Sequence, residues 1–518
     1  MAVRKSIPFD SLLSKSYWTW RRYPALSVPT MFSTGLTALV ESIVGVFVLA
    51  LVVRLDGSTT LLAAATDLSS GNASALSTLV LSSSFIAVVL EYMVPAAVVA
   101  LVVFILASGF VYSAEYGSYC QAVDGSSVGI SEVMTKFTER WRPMAWTLFL
   151  SYLLTLLPAG IGIGVALWIV ALRGAGFLVV PALLAAAVGV VASLTLSLLF
   201  IYTPVAVSAE KSSGLRAILT SARCARKDLG AALAYSVVYI VLVGAVTGLA
   251  SIIPVANLPL SSLASVGILI LVTPVLHLTK TEIFVEINRD EPVERELFDP
   301  LFSDLLPFAR VVWRKFREGL TELKSFTLDV RNVPYHVLAS FALLVGILLG
   351  ERIGTQGLTQ VFYALGYVPG KINPLVTGSA PGTVGVYIFF HNWEAALSTA
   401  LSGVWFSAAS FVTLVLNGAL IGVVVDLVPN TTMLLAALLP HGVIELPSFV
   451  VASSAGIKLG VTFLKWVRSG DAGDETAFHV AARQTVYVVI GLALFFFVAG
   501  FIEGNITPVI MKMAGWSS

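Results

Sequence analysis

Long apolar runs separated by shorter polar stretches extend through the whole chain. The stretch 229–279 contains no Asp, Glu, Lys or Arg. A helix of roughly 20 residues crosses a bilayer, so this stretch is long enough for about two crossings. The apolar runs lie at 31–53, 92–112, 145–171, 177–204, 231–253, 262–279, 337–350, 384–402, 404–425, 432–464 and 484–502. This pattern predicts an all-α polytopic integral membrane protein with about eleven membrane-embedded helical segments.

Two stretches of this pattern depart from a simple row of spans. The run 384–425 is too long for one crossing, and we divide it at Gly403. The run 432–464 contains Pro440-His441-Gly442. Proline removes a backbone N–H and glycine weakens a helix. We therefore expect a broken or re-entrant helix there, whose freed backbone groups need partners inside the protein.

The amino-acid composition supports assignment to membrane proteins and argues against nucleic acid as a partner. Of the 518 residues, 57% are hydrophobic and 12% are charged, whereas a soluble protein carries roughly 25% charged residues. The formal net charge is +1, and the basic residues lie between apolar runs, where they set topology. The sequence therefore predicts membrane lipids as partners and no nucleic acid.

Lysine and arginine concentrate in alternate polar segments. With the amino terminus inside, 25 of the 31 lie in inside segments, 5 lie in outside segments, and Lys458 lies within a run. Cytoplasmic loops of membrane proteins carry such an excess. The sequence predicts a multi-pass protein of the cell membrane with a cytoplasmic amino terminus and an outside carboxy terminus.

The longest hydrophilic stretch between spans divides the chain into two membrane domains. We predict a six-span domain at 1–285, a cytoplasmic amphipathic linker at 286–335 and a five-span domain at 336–518. The linker holds the basic amphipathic run 305–316, in which Trp313 would lie at the membrane interface. A plain solvated linker helix is the alternative.

Polar residues concentrate in the runs of the second domain. Ionisable groups within a span cost on the order of 3 kcal/mol and face the protein interior. His441 and Glu445 are four residues apart and share a face if the helix resumes after Pro440. Gly418 and Gly422 would let helices approach closely. The candidate polar core or ligand site comprises His391, Asn392, Glu394, Asn417, His441 and Glu445.

Three interpretations of this cluster stay open: polar contacts that hold helices together, a small site for a proton, ion, lipid headgroup or partner, and a catalytic Zn²⁺ site. The chain contains no H-E-x-x-H, no G-x-S-x-G and no Walker A motif, and no nucleophile stands beside a base. We therefore predict a protein that is not an enzyme, with no catalytic residue, no metal and no cofactor.

The second domain, at about 335–505, resembles the stage II sporulation protein M family. Three elements carry the likeness: Phe389-Phe390-His391-Asn392, Leu416-Asn417-Gly418-Ala419-Leu420-Ile421-Gly422, and Leu439-Pro440-His441-Gly442-Val443-Ile444-Glu445-Leu446-Pro447. The resemblance implies a five-span fold with a shared core of His391, Asn392, Asn417, His441 and Glu445. It also implies a membrane scaffold, since the bacterial member holds peptidoglycan-degrading enzymes and is not itself a hydrolase.

The first domain contains Ala114-Glu115-Tyr116-Gly117, followed by a short amphipathic helix. It looks like the membrane domains that accompany some glycerophosphodiester phosphodiesterases. The fusion of this six-span unit to the second domain departs from the bacterial sporulation protein, which has the five-span part alone.

We therefore hypothesise a non-enzymatic membrane scaffold that organises partners at the cell envelope. Envelope proteins would dock on the outer loops 54–90 and 353–383 or on the inner helix 305–325, and homo-oligomerisation stays open. The alternative is a transporter, channel or lipid-handling protein that uses the polar cluster of the second domain.

For mutations, we predict that Glu445→Ala lowers the yield of folded protein more than Glu41→Ala. Glu445 would lose partners in a crowded polar network, whereas Glu41 is a lone carboxyl in the first run. Size-exclusion chromatography of both variants in detergent measures the yield. Equal yields would contradict this ranking.

Overall fold

The computed structural model describes residues 9–56, 83–171, 179–252, 266–288, 305–354, 359, 383–405, 407–428, 430–470 and 472–517. The regular elements of these residues are all helices. In chain order they are α1 (Phe9–Arg22), α2 (Val28–Asp56), α3 (Ser83–Val123), α4 (Ile130–Glu139), α5 (Trp141–Ala171), α6 (Val179–Leu199), α7 (Thr203–Ala209), α8 (Leu215–Lys227), α9 (Leu229–Ile252), α10 (Thr273–Asn288), α11 (Leu305–Leu328), α12 (Val333–Ile353), α13 (Thr383–Ser402), α14 (Ala408–Leu427), α15 (Thr431–Ser469), α16 (Ala472–Phe501) and α17 (Thr507–Met513).

Among the described residues, nine helices are long and apolar enough to cross a membrane, and ten if the pair α8–α9, bent by 99°, counts as one span. The described part of each of the eleven apolar runs lies mainly in helices. The prediction of an all-α polytopic membrane protein is therefore confirmed. Two of the eleven runs are not among the nine: α13, which carries the polar residues His391, Asn392 and Glu394, and α9, which is counted only together with α8.

The predicted interruption at Pro440 is wrong, because α15 runs unbroken for 39 residues with both Pro440 and Pro447 inside it. The helix starts at Asn430, whose side chain accepts a hydrogen bond from Met433 N, and it ends at Gly470, which has a φ of 64°. These are strong helix-end signals. A proline inside a helix leaves one carbonyl without its usual partner, but membrane helices tolerate this where neighbouring groups supply another.

The first compact unit comprises Met1–Thr30, Ile105–Val246 and Gly267–Leu305. Its described core packs α1 on α10 and α5 on α6. The buried Glu282 of α10 accepts a hydrogen bond from Lys15 Nζ of α1 at 3.0 Å. The large side chains at its centre, Tyr116, Tyr119 and Phe284, are fully buried. These contacts place the polar side chains of α3 and α10 inside the unit.

The second compact unit comprises Met31–Phe104, Thr247–Val266 and Leu306–Ser518. In it α12 packs on α14, and α16 packs on both α13 and α15. Helix α2 joins α14 through a hydrogen bond of 2.8 Å between the hydroxyls of Ser42 and Thr413. The units group stretches that are distant along the chain. The division at 285 and 336 stays a prediction about the order of domains in the sequence.

Glycines bring α12 and α14 into backbone contact. A Cβ atom on Gly346 would lie 2.9 Å from the Cα of Gly418, and one on Gly422 would lie 2.9 Å from the Cα of Gly350. Side chains larger than hydrogen therefore do not fit at these positions. Small residues let membrane helices approach and gain van der Waals contact along their length.

Helix α11 contains the predicted amphipathic run and packs directly on α16. A Cβ on Gly319 would lie 2.9 Å from Gly491 N. Lys315 Nζ donates hydrogen bonds of 2.8 Å to Tyr487 Oη and to Glu318 Oε2. The Lys315 hydrogen bond lowers the pKa of Glu318. Trp313 is 61% exposed, as a residue at the membrane interface would be.

Gly422→Ala is expected to destabilise the protein, whereas Gly442→Ala is not. A Cβ on Gly422 would overlap the Ile347 carbonyl oxygen, while one on Gly442 meets only Leu446 Cδ1 at 3.9 Å. Overpacking of this kind costs about 1–3 kcal/mol. Thermal unfolding of both variants in the same detergent gives the comparison. A melting temperature of Gly422→Ala equal to that of the wild type would show that α12 and α14 are not in backbone contact.

Candidate functional site

A polar cluster lies between α15 and the end of α16. His441 is on the third turn of α15 and is only 9% exposed. Its Nδ1 atom lies 3.2 Å from the hydroxyl oxygen of Thr507. Its Nε2 atom lies 3.8 Å from Glu503 Oε2. Both ring nitrogens of a buried imidazole thus face polar atoms of the neighbouring chain segment.

Two carboxylates complete the cluster. Glu445 stands one helical turn after His441 on the same face of α15. Glu503 belongs to the π-helical turn Ile502–Ile506, which follows α16. One ligand atom from each of His441, Glu445 and Glu503 lies within 4.8 Å of the other two. Single π-turns within helices occur frequently at functional sites.

This cluster has the groups that a proton or cation site needs. Glu445 Oε2 is buried and has no hydrogen-bond partner. The Glu503 side chain is 32% exposed, so the cluster can be reached from outside the helix bundle. Two neighbouring carboxylates can share a proton or bind a cation, because both charged forms repel each other at short range.

Of the six residues predicted from the sequence, the structure brings His441 and Glu445 into this cluster. His391 is exposed and stacks on Tyr387 with 5.9 Å between ring centroids. Asn417 Nδ2 donates to Thr413 O within its own helix and does not bridge between helices.

Asn392 and Glu394 are both half-buried. The carboxyl of Glu394 is an electrostatic neighbour of Glu41 on α2. These polar positions of α13 and α14 thus have surroundings of their own among the described residues, and a role for them as one core stays a prediction.

Glu503 and Thr507 were not predicted from the sequence as members of this cluster. The last apolar run was ended at residue 502, so both residues were assigned to an outside tail. Helix α17 begins at Thr507 and has Pro508 in its first turn. The Thr507-Pro508 pair was therefore the sequence feature that could have indicated a further helix after the last apolar run. A proline at this position fits the start of a helix.

A second polar cluster, also missed, lies inside the first unit. Glu115 of α3 is 1% exposed, and its Oε1 lies 2.5 Å from His277 Nδ1 of α10. Tyr119 Oη donates to the same carboxylate oxygen at 3.3 Å. The rings of Tyr116 and Tyr239 stack on the His277 ring, each with centroids 5.9 Å apart. The acid of this cluster therefore has a base and a hydroxyl as partners.

A cavity of about 220 Å³ borders this second cluster. Lys280 lines it together with His277 and the tyrosines Tyr112 and Tyr152. The Lys280 ammonium lies 4.8 Å from the centre of the Tyr116 ring, a cation–π contact. The residues that could have signalled this site were Glu115, within the element Ala114-Glu115-Tyr116-Gly117, and His277, which lies near the end of an apolar run.

The nine candidate spans among the described residues and the wholly helical architecture define the protein as an all-α, multi-pass membrane protein. Residues 338–508, about a third of the chain, match the family model described as Stage II sporulation protein M. The resemblance predicted for 335–505 is therefore confirmed. The cluster residues His441, Glu445, Glu503 and Thr507 all lie within the matched stretch.

A relative with a shorter match is the uncharacterized protein MJ0706 of Methanocaldococcus jannaschii, which is 28% identical over 75 residues. The match covers 14% of this chain and 35% of MJ0706, so the chain spans about a third of the length of the curated relative it matches. No solved structure matches the chain. The resemblance of the first domain to phosphodiesterase-associated membrane domains stays a prediction, because neither match bears on it.

Glu115→Gln is expected to lower the melting temperature of the purified protein much more than Glu132→Gln. The first change removes a charge-assisted hydrogen bond in a buried site, worth about 2 kcal/mol. The second change alters Glu132 of α4, whose exposed Oε2 atom accepts a hydrogen bond from Gly129 N. Differential scanning fluorimetry in detergent compares the two. Equal melting temperatures for both variants would mean that the Glu115–His277 pair contributes no stability.

Proposed function

We propose that the protein is a non-enzymatic membrane scaffold that organises partner proteins at the cell envelope. The match of residues 338–508 to the Stage II sporulation protein M family model supports this proposal. A scaffold needs a fixed arrangement of docking surfaces, and the second unit has the packing that such an arrangement requires.

The observation that carries the proposal is the backbone contact between helices throughout the second unit. Besides the contact of α12 with α14, a Cβ on Gly403 would collide with the backbone of Gly456, and one on Gly319 with that of Gly491. These contacts tie α15 to the end of α13 and tie α11 to α16. Closely packed interiors are rigid and resist sliding of their parts, which favours a static platform.

The docking surface that we assign is the outward face of α11. Trp313, Arg314 and Arg317 are exposed there, while Gly319 on the opposite face is buried against α16. Interfaces between proteins are enriched in tryptophan and arginine. With the amino terminus in the cytoplasm and the carboxy terminus outside, this face would meet cytoplasmic partners or anionic lipid headgroups. Most of the outer loops 54–90 and 353–383 lies outside the described residues.

Transport or lipid handling is the second candidate function. The observation in its favour is the cluster of His441, Glu445 and Glu503, since ionisable groups inside a membrane protein commonly mark ion or proton pathways. The partly exposed Glu503 would be the entry point. This function requires flux through or past the cluster, whereas a scaffold requires none.

Site-specific photocrosslinking in cells that naturally carry this chain tests the scaffold. A photoreactive residue in place of Trp313 is expected to crosslink repeatedly to the same proteins. The matched control is the same residue in place of Trp168 on the apolar helix α5, because the two tryptophans are 61% and 64% exposed. The control is expected to crosslink to lipid.

The scaffold proposal requires the protein adducts at position 313 to disappear when Arg314 and Arg317 are replaced by glutamate. Lipid adducts alone at both positions would count against docking on α11. Ion or lipid flux in proteoliposomes that Glu503→Gln abolishes would favour the transport function instead.

A further inference from the structure

We propose that His441, Glu445 and Glu503 bind one first-row divalent metal ion of the Zn²⁺ type. This site goes beyond the scaffold function and does not depend on it. It also departs from the prediction that no metal is bound, which did not include Glu503. The contacts, charges and supporting residues of the cluster each favour the ion.

The distance between His441 and Glu503 fits two ligands of one ion better than a hydrogen bond. Their Nε2 and Oε2 atoms are 3.8 Å apart, whereas hydrogen bonds end at about 3.2 Å. With bonds of about 2.1 Å to a tetrahedral ion, two ligand atoms lie roughly 3.4 Å apart. Glu445 completes a set whose ligand atoms all lie within 4.8 Å of one another. Small side-chain rotations close the remaining gap.

The charges of the cluster call for a cation. Glu445 and Glu503 are close neighbours whose side chains share a hydrogen bond, and the Nε2 atom of His441 lies 3.8 Å from Glu503 Oε2. Among the described residues, no lysine or arginine forms an ion pair with either carboxylate. Buried charges are normally paired or coordinate metals. The unpartnered, buried Oε2 of Glu445 is the atom that an ion would satisfy.

Thr507 holds the imidazole in the orientation that a metal ligand needs. Its hydroxyl lies 3.2 Å from His441 Nδ1, so an Nδ1–H can donate to it and leave the Nε2 lone pair for the ion. Metal-bound histidines nearly always have such a partner on the other nitrogen, which fixes the tautomer and the ring direction.

The ligand types select the class of ion. Imidazole nitrogen suits zinc, iron and nickel, while a site for Mg²⁺ or Ca²⁺ would be built from oxygen alone. Three protein ligands leave one position of a tetrahedral ion for water. The partial exposure of Glu503 provides the route by which ion and water enter. A bound ion would link α15 to the π-turn that follows α16.

Metal binding by the purified full chain tests this proposal. After chelation and dialysis in detergent, the wild type is expected to take up about one Zn²⁺ per chain, measured by elemental analysis. Glu503→Gln is expected to lower the affinity at least tenfold. Glu351→Gln is the control, since Glu351 is an exposed glutamate near the end of α12 and should leave uptake unchanged.

A second pair of variants covers the case in which Glu503→Gln fails to fold. Thr507→Val is expected to weaken Zn²⁺ binding about 10- to 100-fold by freeing the imidazole. Thr485→Val removes another buried hydroxyl, one that bonds to the backbone of α15 and α16, and should leave the affinity unchanged. Zn²⁺ should also raise the melting temperature of the wild type more than that of Thr507→Val.

The proposal is overturned if the wild type takes up no more Zn²⁺ than Glu503→Gln or Thr507→Val. In that case the two carboxyls share a proton, and the cluster is a hydrogen-bonded contact without a metal. Equal loss of binding in Thr485→Val and Thr507→Val would also overturn it, because the effect would then come from general destabilisation.

Discussion

Polar side chains within apolar helices must find partners inside the protein. This constraint determines which helix faces meet within each unit. The surrounding lipid offers no hydrogen bonds, so an unpaired carboxylate or ammonium is costly there. Lys458, the one basic residue placed within a span by the sequence, illustrates the solution. It donates to Gln484 Oε1 at 2.7 Å, and Gln484 Nε2 donates to Glu322 Oε1 at 2.7 Å. One chain of hydrogen bonds thereby connects α15, α16 and α11.

Glycine-mediated packing makes such chains possible. Short polar side chains meet across a helix interface only if the backbones approach closely. Gly319 and Gly491 bring α11 and α16 into contact, near the positions where Glu322 and Gln484 bond. In the same way Gly385 contacts Gly500, which brings α13 against the end of α16 from which Glu503 projects. The glycines thus fix helix positions, and the polar groups fix which faces meet.

The spans were predictable because hydrophobicity is a local property of the sequence. The described part of each apolar run lies mainly in helices, and the likeness of residues 338–508 to the Stage II sporulation protein M family was recognisable from motifs such as Leu439-Pro440-His441-Gly442. The path of α15 through Pro440 was not predictable, because tolerance of proline depends on neighbours that the sequence does not place. The partners of Asn417 and His441 depend on how each helix is rotated. Glu503 lay just beyond an apolar run, where a boundary error of one residue removed it from consideration.

The two polar clusters satisfy the same constraint in different ways. In the first unit, the acid Glu115 meets the base His277 and the hydroxyl of Tyr119, so the protein itself supplies its partners. In the second unit, two acids share one histidine, and an oxygen of Glu445 is buried without a hydrogen bond. A cluster whose groups complete one another needs no added ion. A cluster with two acids and one base is complete only with an added proton or cation. The separation of 3.8 Å between His441 Nε2 and Glu503 Oε2 leaves space for a cation.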